Sequence, residues 1–266
     1  MQLILDGFAA ANGCSLGFGT GRIAVAYMRM LSAFNREFEY RLATDNSLEI
    51  QEILDSEFVR AFVLEWEACT AECSDDPAVV RFMFRPDVAE RYRDYIGLVT
   101  DADLATSVEA QLASIALDSG IYLVYLAELI GRVNRIPVAA AVSEEFRALG
   151  MAAKLADEIV DLGSDLAEGR YNLFAAHLHA RPSDDDAVRR RLRSPRALTT
   201  DWLRENIPDT FTAYMTLFDH HYAALSTPQL RIVCDASMFR AAQGIRAVPR
   251  SRECSHVTMP PGQSWR

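Results

Sequence analysis

Residues 149–174 read LGMAAKLADEIVDLGSDLAEGRYNLF, and the spacing within them decides the fold. Apolar residues recur at intervals of three and four, the period of a helix buried on most of its sides. Into that helix the sequence sets Asp157, Asp161 and Asp165, four residues apart, before closing on Gly169-Arg170. Residues i, i+4 and i+8 follow one slowly drifting stripe, so the three carboxylates project into the same neighbourhood. Carboxylates so placed repel one another unless something positive compensates. A hard divalent cation such as Mg2+ would do so, because it takes oxygen ligands and completes its shell with substrate phosphate. Ile159, Val160 and Leu162 stay off the stripe, which points to an acidic patch facing a hollow. The competing reading is a solvated acidic face, to which Glu158 and Glu168 contribute.

Outward from this helix, the pattern stays helical from Arg22 on, with almost no alternating β-branched runs. The periodicity predicts helices over about 22–43, 47–73, 77–99, 104–134, 140–168, 198–225 and 227–244. Polar or proline-marked breaks fall at 44–47, 74–77, 135–137 and 181–196. No composition shift divides the chain, so one all-α domain is expected over 1–245, followed by a mobile tail over 246–266.

Composition excludes several classes. The 266 residues carry 27 Lys and Arg against 37 Asp and Glu, a formal charge of -10, which argues against a nucleic-acid partner. The N-terminus lacks a basic region before its short apolar run, and Asp118 and Glu128 interrupt the most apolar segment, IALDSGIYLVYLAELIG. Neither a signal peptide nor a transmembrane segment is expected, and the location expected is cytoplasmic. Five cysteines without a CxxC pair give neither a disulfide framework nor a zinc pattern. The glycines of GFGTG follow no strand and lack the Lys-Ser/Thr ending of a phosphate loop. His177, His179, His220 and His221 lack the spacing of a metal site and read as surface or core-edge residues.

The block 149–174 resembles the second aspartate-rich segment of squalene and phytoene synthases, L-G-x-x-x-Q-L-x-N-x-x-R-D-x-x-E-D followed by G-R-x-Y-L-P. Leu149, Gly150, Leu155, Asp161, Asp165, Gly169, Arg170 and Leu173 coincide with that pattern, and Asp157 stands at its Asn. Upstream, YLVYLAELIG (122–131) is similar to the family's Y-x-x-x-V-A-G-x-V-G helix, keeping Tyr122, Ala127 and Gly131, with Glu128 at the Gly. The stretch 220–245 resembles its C-terminal helices. The resemblance implies a class I isoprenoid-synthase fold, a single bundle of long helices around a central apolar cavity. In that fold two acidic motifs on facing helices hold Mg2+ ions that grip a prenyl diphosphate, and related chains often pair as antiparallel homodimers.

The pattern also breaks. The first acidic motif, F-x-R-x-x-D-D-x-x-D, is represented by AFNREFEYRLATDN (33–46), where Phe34 and Arg36 match and Glu39 takes the first Asp position, but Tyr40 and Ala43 replace two others. Asp75-Asp76 is a second candidate that reads better as a helix start before Pro77. In the second motif the Arg is Val160, the Glu is Ser164 and the Gln is Lys154. The resemblance thus implies an atypical class I terpene synthase, ionising a prenyl diphosphate with Mg2+ on Asp157, Asp161 and Asp165. Glu39 would face them, Arg36, Lys154 and Arg170 would hold the diphosphate, and Phe34, Phe38, Tyr122, Tyr125 and Glu128 would line the pocket. Phe58 and Phe62 are further aromatic candidates. Cyclisation of the cation is the expected outcome. Coupling of two isoprenoid units is one alternative, and a non-catalytic isoprenoid-binding or partner-binding relative is the other. The basic run 189–196 reads as a solvated loop, with a lid over the pocket mouth as the alternative.

Overall fold

The computed structural model describes residues 1–44, 46–100, 107–194 and 198–243. Among them there are helices and turns but no β-strand. The predicted tail at 246–266 lies outside the described residues.

Helix α9, Ala140–Glu168, is the axis of the fold. Its 29 residues span about 43 Å, and its buried side chains run from Val142 and Phe146 through Leu149, Leu155 and Ile159 to Leu162. A helix this apolar on most sides is stable only when enclosed. Each fully buried Leu, Ile or Phe stabilises it by about 1.5–3 kcal/mol relative to exposure. It ends at Gly169, whose φ of 67° is left-handed, and the Arg170 N–H closes the last turn on the Asp165 carbonyl at 2.9 Å.

Around this axis lie α1 (Gln2–Asn12), α2 (Thr20–Ala43), α3 (Ile50–Leu54), α4 (Glu57–Cys73), α5 (Pro77–Val80), α6 (Pro86–Val99), α7 (Val108–Ile115) and α8 (Ile121–Val133). After the axis come α10 (Leu173–His179), α11 (Pro182–Leu192), α12 (Thr200–Asn206), α13 (Pro208–Ala223) and α14 (Pro228–Gln243). The main core gathers α1, α2, α8, α9, α13 and α14 around residues such as Phe8, Tyr27, Phe146 and Tyr214. A smaller cluster, Phe38, Ile53, Val59, Tyr92 and Val99, joins α2 to α3, α4 and α6.

Residues 140–168 form the expected helix, and those expected over 22–43 and 227–244 appear as α2 and α14 with ends shifted by one or two residues; the others differ for identifiable reasons. Helix 47–73 divides at Ser56, whose hydroxyl accepts the Val59 N–H at 3.3 Å. Helices 77–99 and 198–225 divide before Pro86 and Pro208, which lack the N–H an interior turn needs and start new helices instead. Asp76 caps α5 by accepting the Ala78 N–H at 2.8 Å, in keeping with its reading as a helix start. The polar segment 181–196, expected as a break, contains α11, supported by the Asp185–Arg189 pair at i, i+4. Residues 195 and 196 of the basic run lie outside the described residues.

The predicted helix 104–134 begins at Val108, capped by Ser107, with 104–106 outside the described residues. Its acids do not stop it. Val108–Val133 is a continuous run of 26 residues, with a mean hydropathy of 1.5, long and apolar enough to cross a membrane by length and composition. Half of that window is buried inside the fold. Between α7 and α8 the run widens into a single π turn, Ala116–Gly120, which carries Asp118. This turn packs on α9 at very close range. A methyl group added at Gly150 would lie 2.2 Å from the Ser119 carbonyl oxygen, so only glycine permits the approach.

Candidate functional site

The close contact at Gly150 sets the geometry of the site. Lys154, Asp157 and Asp161 follow Gly150 at helical spacing on the same face of α9. They therefore continue along the side on which the π turn sits. Lys154 and Asp157 are the charges that act most directly on Asp118 from α9. From α2, Asn35 Nδ2 donates to Asp118 Oδ1 at 3.4 Å. From within the π turn, Ser119 Oγ donates to Asp118 Oδ2 at 3.2 Å. Tyr95 of α6 and Tyr122 of α8 complete the surroundings.

Asp118, Tyr122, Tyr95 and Lys154 lie deep among the helices, yet each keeps part of its surface accessible. Burial raises the pKa of Asp118, opposed by Lys154. Burial also raises those of Tyr95 and Tyr122, with the Asp118 charge adding to it. For Lys154, burial disfavours the charged form, but Glu158, Asp118 and Asp157 outweigh it and keep the ammonium protonated beyond the usual lysine range.

Asp165 belongs to a neighbouring network. It is buried, accepts Asn172 Nδ2 at 2.9 Å and has Arg170 Nη2 at 3.1 Å. Burial pushes its carboxyl up to about 6, against the opposing effects of Asn172 and Arg170. Beside it, buried Glu158 accepts the Leu173 N–H at 2.7 Å and pairs with Lys154 at 3.1 Å. Asn172 also donates to the Glu158 carbonyl at 2.8 Å and accepts the Ala175 N–H. This network fastens the end of α9 to the start of α10. Arg170 Nε lies 3.1 Å from Glu168, but neither Nε nor Nη2 is angled to make a hydrogen bond.

The remaining sequence-predicted residues separate into three places. Phe34 and Phe38 meet the Tyr92 ring at centroid distances of 4.9 and 5.7 Å, and Phe38 meets Tyr95 at 5.5 Å. Phe38 and Tyr92 are buried there with Ile53, Val59 and Val99, and Phe34 packs against them. Glu39 is exposed one turn beyond Asn35, and its charge reaches Tyr95. Tyr125 and Glu128 look instead toward Arg85, which pairs with Glu128 at 2.9 Å and lies over the Tyr125 ring at 5.3 Å. Arg36 is on the outer side of α2, over the Phe58 ring at 5.6 Å, beside a shallow groove that Phe62 also lines. Arg36 and Glu128 therefore stand apart from Asp118, while the Tyr125 ring also meets the Tyr122 ring at a centroid distance of 6.3 Å.

The carboxylates of Asp157 and Asp161 are half-buried and accept no hydrogen bond from a described residue. Their chemistry fits a hard divalent cation. Asp165 is committed to Asn172 and Arg170, and among the described residues no three His, Cys, Asp or Glu side chains gather to hold a metal. A three-carboxylate site would require Asp165 to leave its partners.

Sequence reasoning missed Asp118, Asn35 and Tyr95. The signal for Asp118 was present: one acid inside a long apolar run has to be satisfied inside the protein. No family model matches the chain, and neither a curated protein nor a solved structure matches it.

Proposed function

We propose that this chain is an atypical class I terpene synthase with an isoprenoid-synthase-like helical bundle, and that a prenyl diphosphate binds along the α9 face that carries Asp157 and Asp161. The observation that carries this reading is the junction of two surfaces. The carboxylates of Asp157 and Asp161, which accept no hydrogen bond from a described residue, continue the α9 face that meets the π turn, near the packed rings of Phe34, Phe38, Tyr92 and Tyr95. The first surface suits the charged end of the substrate and the second its apolar chain.

Asp157 and Asp161 would hold Mg2+, whose charge would offset that of the diphosphate as the allylic C–O bond breaks. Arg170, whose Nε and Nη2 are close to carboxylates yet poorly aligned, can turn those donors to diphosphate oxygens. Lys154 adds positive charge at the boundary between the two surfaces. The aromatic rings exclude water and offer π faces to an allylic cation. With one acidic stripe on α9, and Glu39 as the acid at the position of the first motif, the site suits one diphosphate, which favours cyclisation over coupling.

A second reading, a non-catalytic isoprenoid-binding relative, is favoured by the way Lys154–Glu158 and Arg170–Asp165 satisfy one another. Incubation with Mg2+ and geranyl, farnesyl or geranylgeranyl diphosphate separates the two. The synthase releases inorganic diphosphate with at least one chain length, and Asp161→Ala loses that release at least tenfold. Tight binding without release assigns the chain to the second reading.

A further inference from the structure

Along the outer face of α2 runs a groove of about 350 Å³, at the lower end of the range for small-molecule sites. Helices α2 and α4 lie antiparallel there, and charged pairs tie them together rung by rung. Arg22 meets Glu72 at 2.8 Å, and Arg29 meets Glu65 at 2.7 Å. Each rung moves seven residues forward on α2 and seven back on α4, two helical turns on both. The next rung joins Arg36 to position 58, where α4 presents Phe58 in place of a carboxylate, and the guanidinium lies over its ring at 5.6 Å.

The groove opens at this change of partner. Val25, Met28, Phe58 and Phe62 line it, with Arg29 and Arg36 beside them. Val25 and Phe58 are 42% and 41% exposed, so apolar surface stands in water between two cations. Phe58 and Phe62 meet edge to face at 5.6 Å, and Arg29 lies over Phe62 as Arg36 does over Phe58. Stacking uses the face of a guanidinium, whereas its N–H donors lie in its plane. A cation held on a ring can therefore still donate to an oxyanion.

This surface matches a ligand that is apolar along most of its length and anionic at one end. From Val25 to Arg36 the helix rises about 16 Å, a length that an extended alkyl chain of about twelve carbons covers. A single guanidinium meets the planar oxygens of a carboxylate with two parallel N–H···O bonds. A diphosphate would draw on several cations, and Arg29 is engaged with Glu65. Nine described residues line the groove, whereas a stable protein interface takes about 20–30 a side, which favours a small molecule over a macromolecule.

We propose that the groove between α2 and α4 binds a straight-chain carboxylate such as dodecanoate, its head at Arg36 and its chain along Phe58, Phe62, Met28 and Val25. The assignment is independent of the synthase reading. Calorimetric titration of the full chain with sodium dodecanoate, below its micelle concentration, tests it. Saturable binding of one dodecanoate per chain is expected, at least fivefold tighter than that of dodecyltrimethylammonium. Phe58→Glu gives the third rung the carboxylate of the first two and should weaken dodecanoate at least tenfold. Arg36→Gln should weaken it at least fivefold. No saturable binding by wild type, equal affinity for the two amphiphiles, or affinity within twofold of wild type in either variant overturns the assignment. If wild type sediments as a dimer that Phe58→Glu dissociates, the groove is an interface between copies and the assignment falls as well. Should Phe58→Glu lose its helical circular dichroism, Arg36→Gln decides alone.

Discussion

Replacing Gly150 with Ala tests the contact from which the site is built. The added methyl would lie 2.2 Å from the Ser119 carbonyl oxygen, 2.8 Å from its carbon and 3.1 Å from Gly120 Cα, all backbone atoms that cannot rotate away. Ordinary contacts involving carbon need about 3.5 Å, so α9 and the π turn must separate by roughly 1 Å. Overpacking of this kind costs about 1–3 kcal/mol. At about 2–4 °C per kcal/mol for a chain approaching this length, the melting temperature should fall by several degrees. Gly97 provides the contrast, because a methyl there meets nothing within 4 Å on the exposed side of α6. Gly97→Ala should stabilise the helix by up to about 1 kcal/mol. Thermal melts followed by circular dichroism compare the two variants. A Gly150→Ala protein that melts with or above wild type would refute the wedged π turn and the placement of Asp118 that depends on it.

Other outcomes follow from the charged networks. Glu145, buried on α9, accepts the Ser226 and Thr227 N–H groups at 2.7 and 2.6 Å and both hydroxyls at 3.0 and 2.9 Å. Glu145→Ala leaves those donors unpaired and should cost about 3 kcal/mol, read as a lower urea midpoint with unchanged slope. Asp165 titrates near 6 in the fold, above the ordinary carboxylate value of 3.8. The folded state therefore binds more protons than the unfolded state between about pH 4 and 6, and this group's contribution to stability is lost as pH rises through that window. Asp165→Asn should remove this fall, about 3 kcal/mol in total across the window, in urea titrations at stepped pH. An unchanged slope would exclude Asp165 as its source.

The helical class and the axis of the fold were legible because α9 combines a long apolar period with a glycine stop at Gly169. The interior breaks at Ser56, Pro86 and Pro208 are local signals too, but a continuing apolar period obscures them. Helix α11 is polar on nearly every position, so its support from the Asp185–Arg189 pair carries no hydrophobic period to detect. The site was legible only along α9. Spacing puts Asp157, Asp161 and Asp165 on one stripe, but the drift of 3.6 residues per turn brings Asp165 round to the side shared with Glu158, where Asn172 and Arg170 meet it. Likewise, Arg36 and Asn35 are adjacent in sequence but about 100° apart on α2, so one faces the outer groove and the other Asp118. Tertiary neighbours of that kind are set by packing, and no single-helix period specifies them.

The central proposal is that Asp157 and Asp161 hold Mg2+ and, with it, a prenyl diphosphate. Calorimetric titration with farnesyl thiolodiphosphate, an analogue that resists ionisation, tests it most directly. Binding is predicted to strengthen at least tenfold when Mg2+ is added and to lose that gain in Asp157→Asn/Asp161→Asn, whose helical signal should match wild type. Equal affinity with and without Mg2+, or an undiminished Mg2+ effect in the double variant, would contradict the claim.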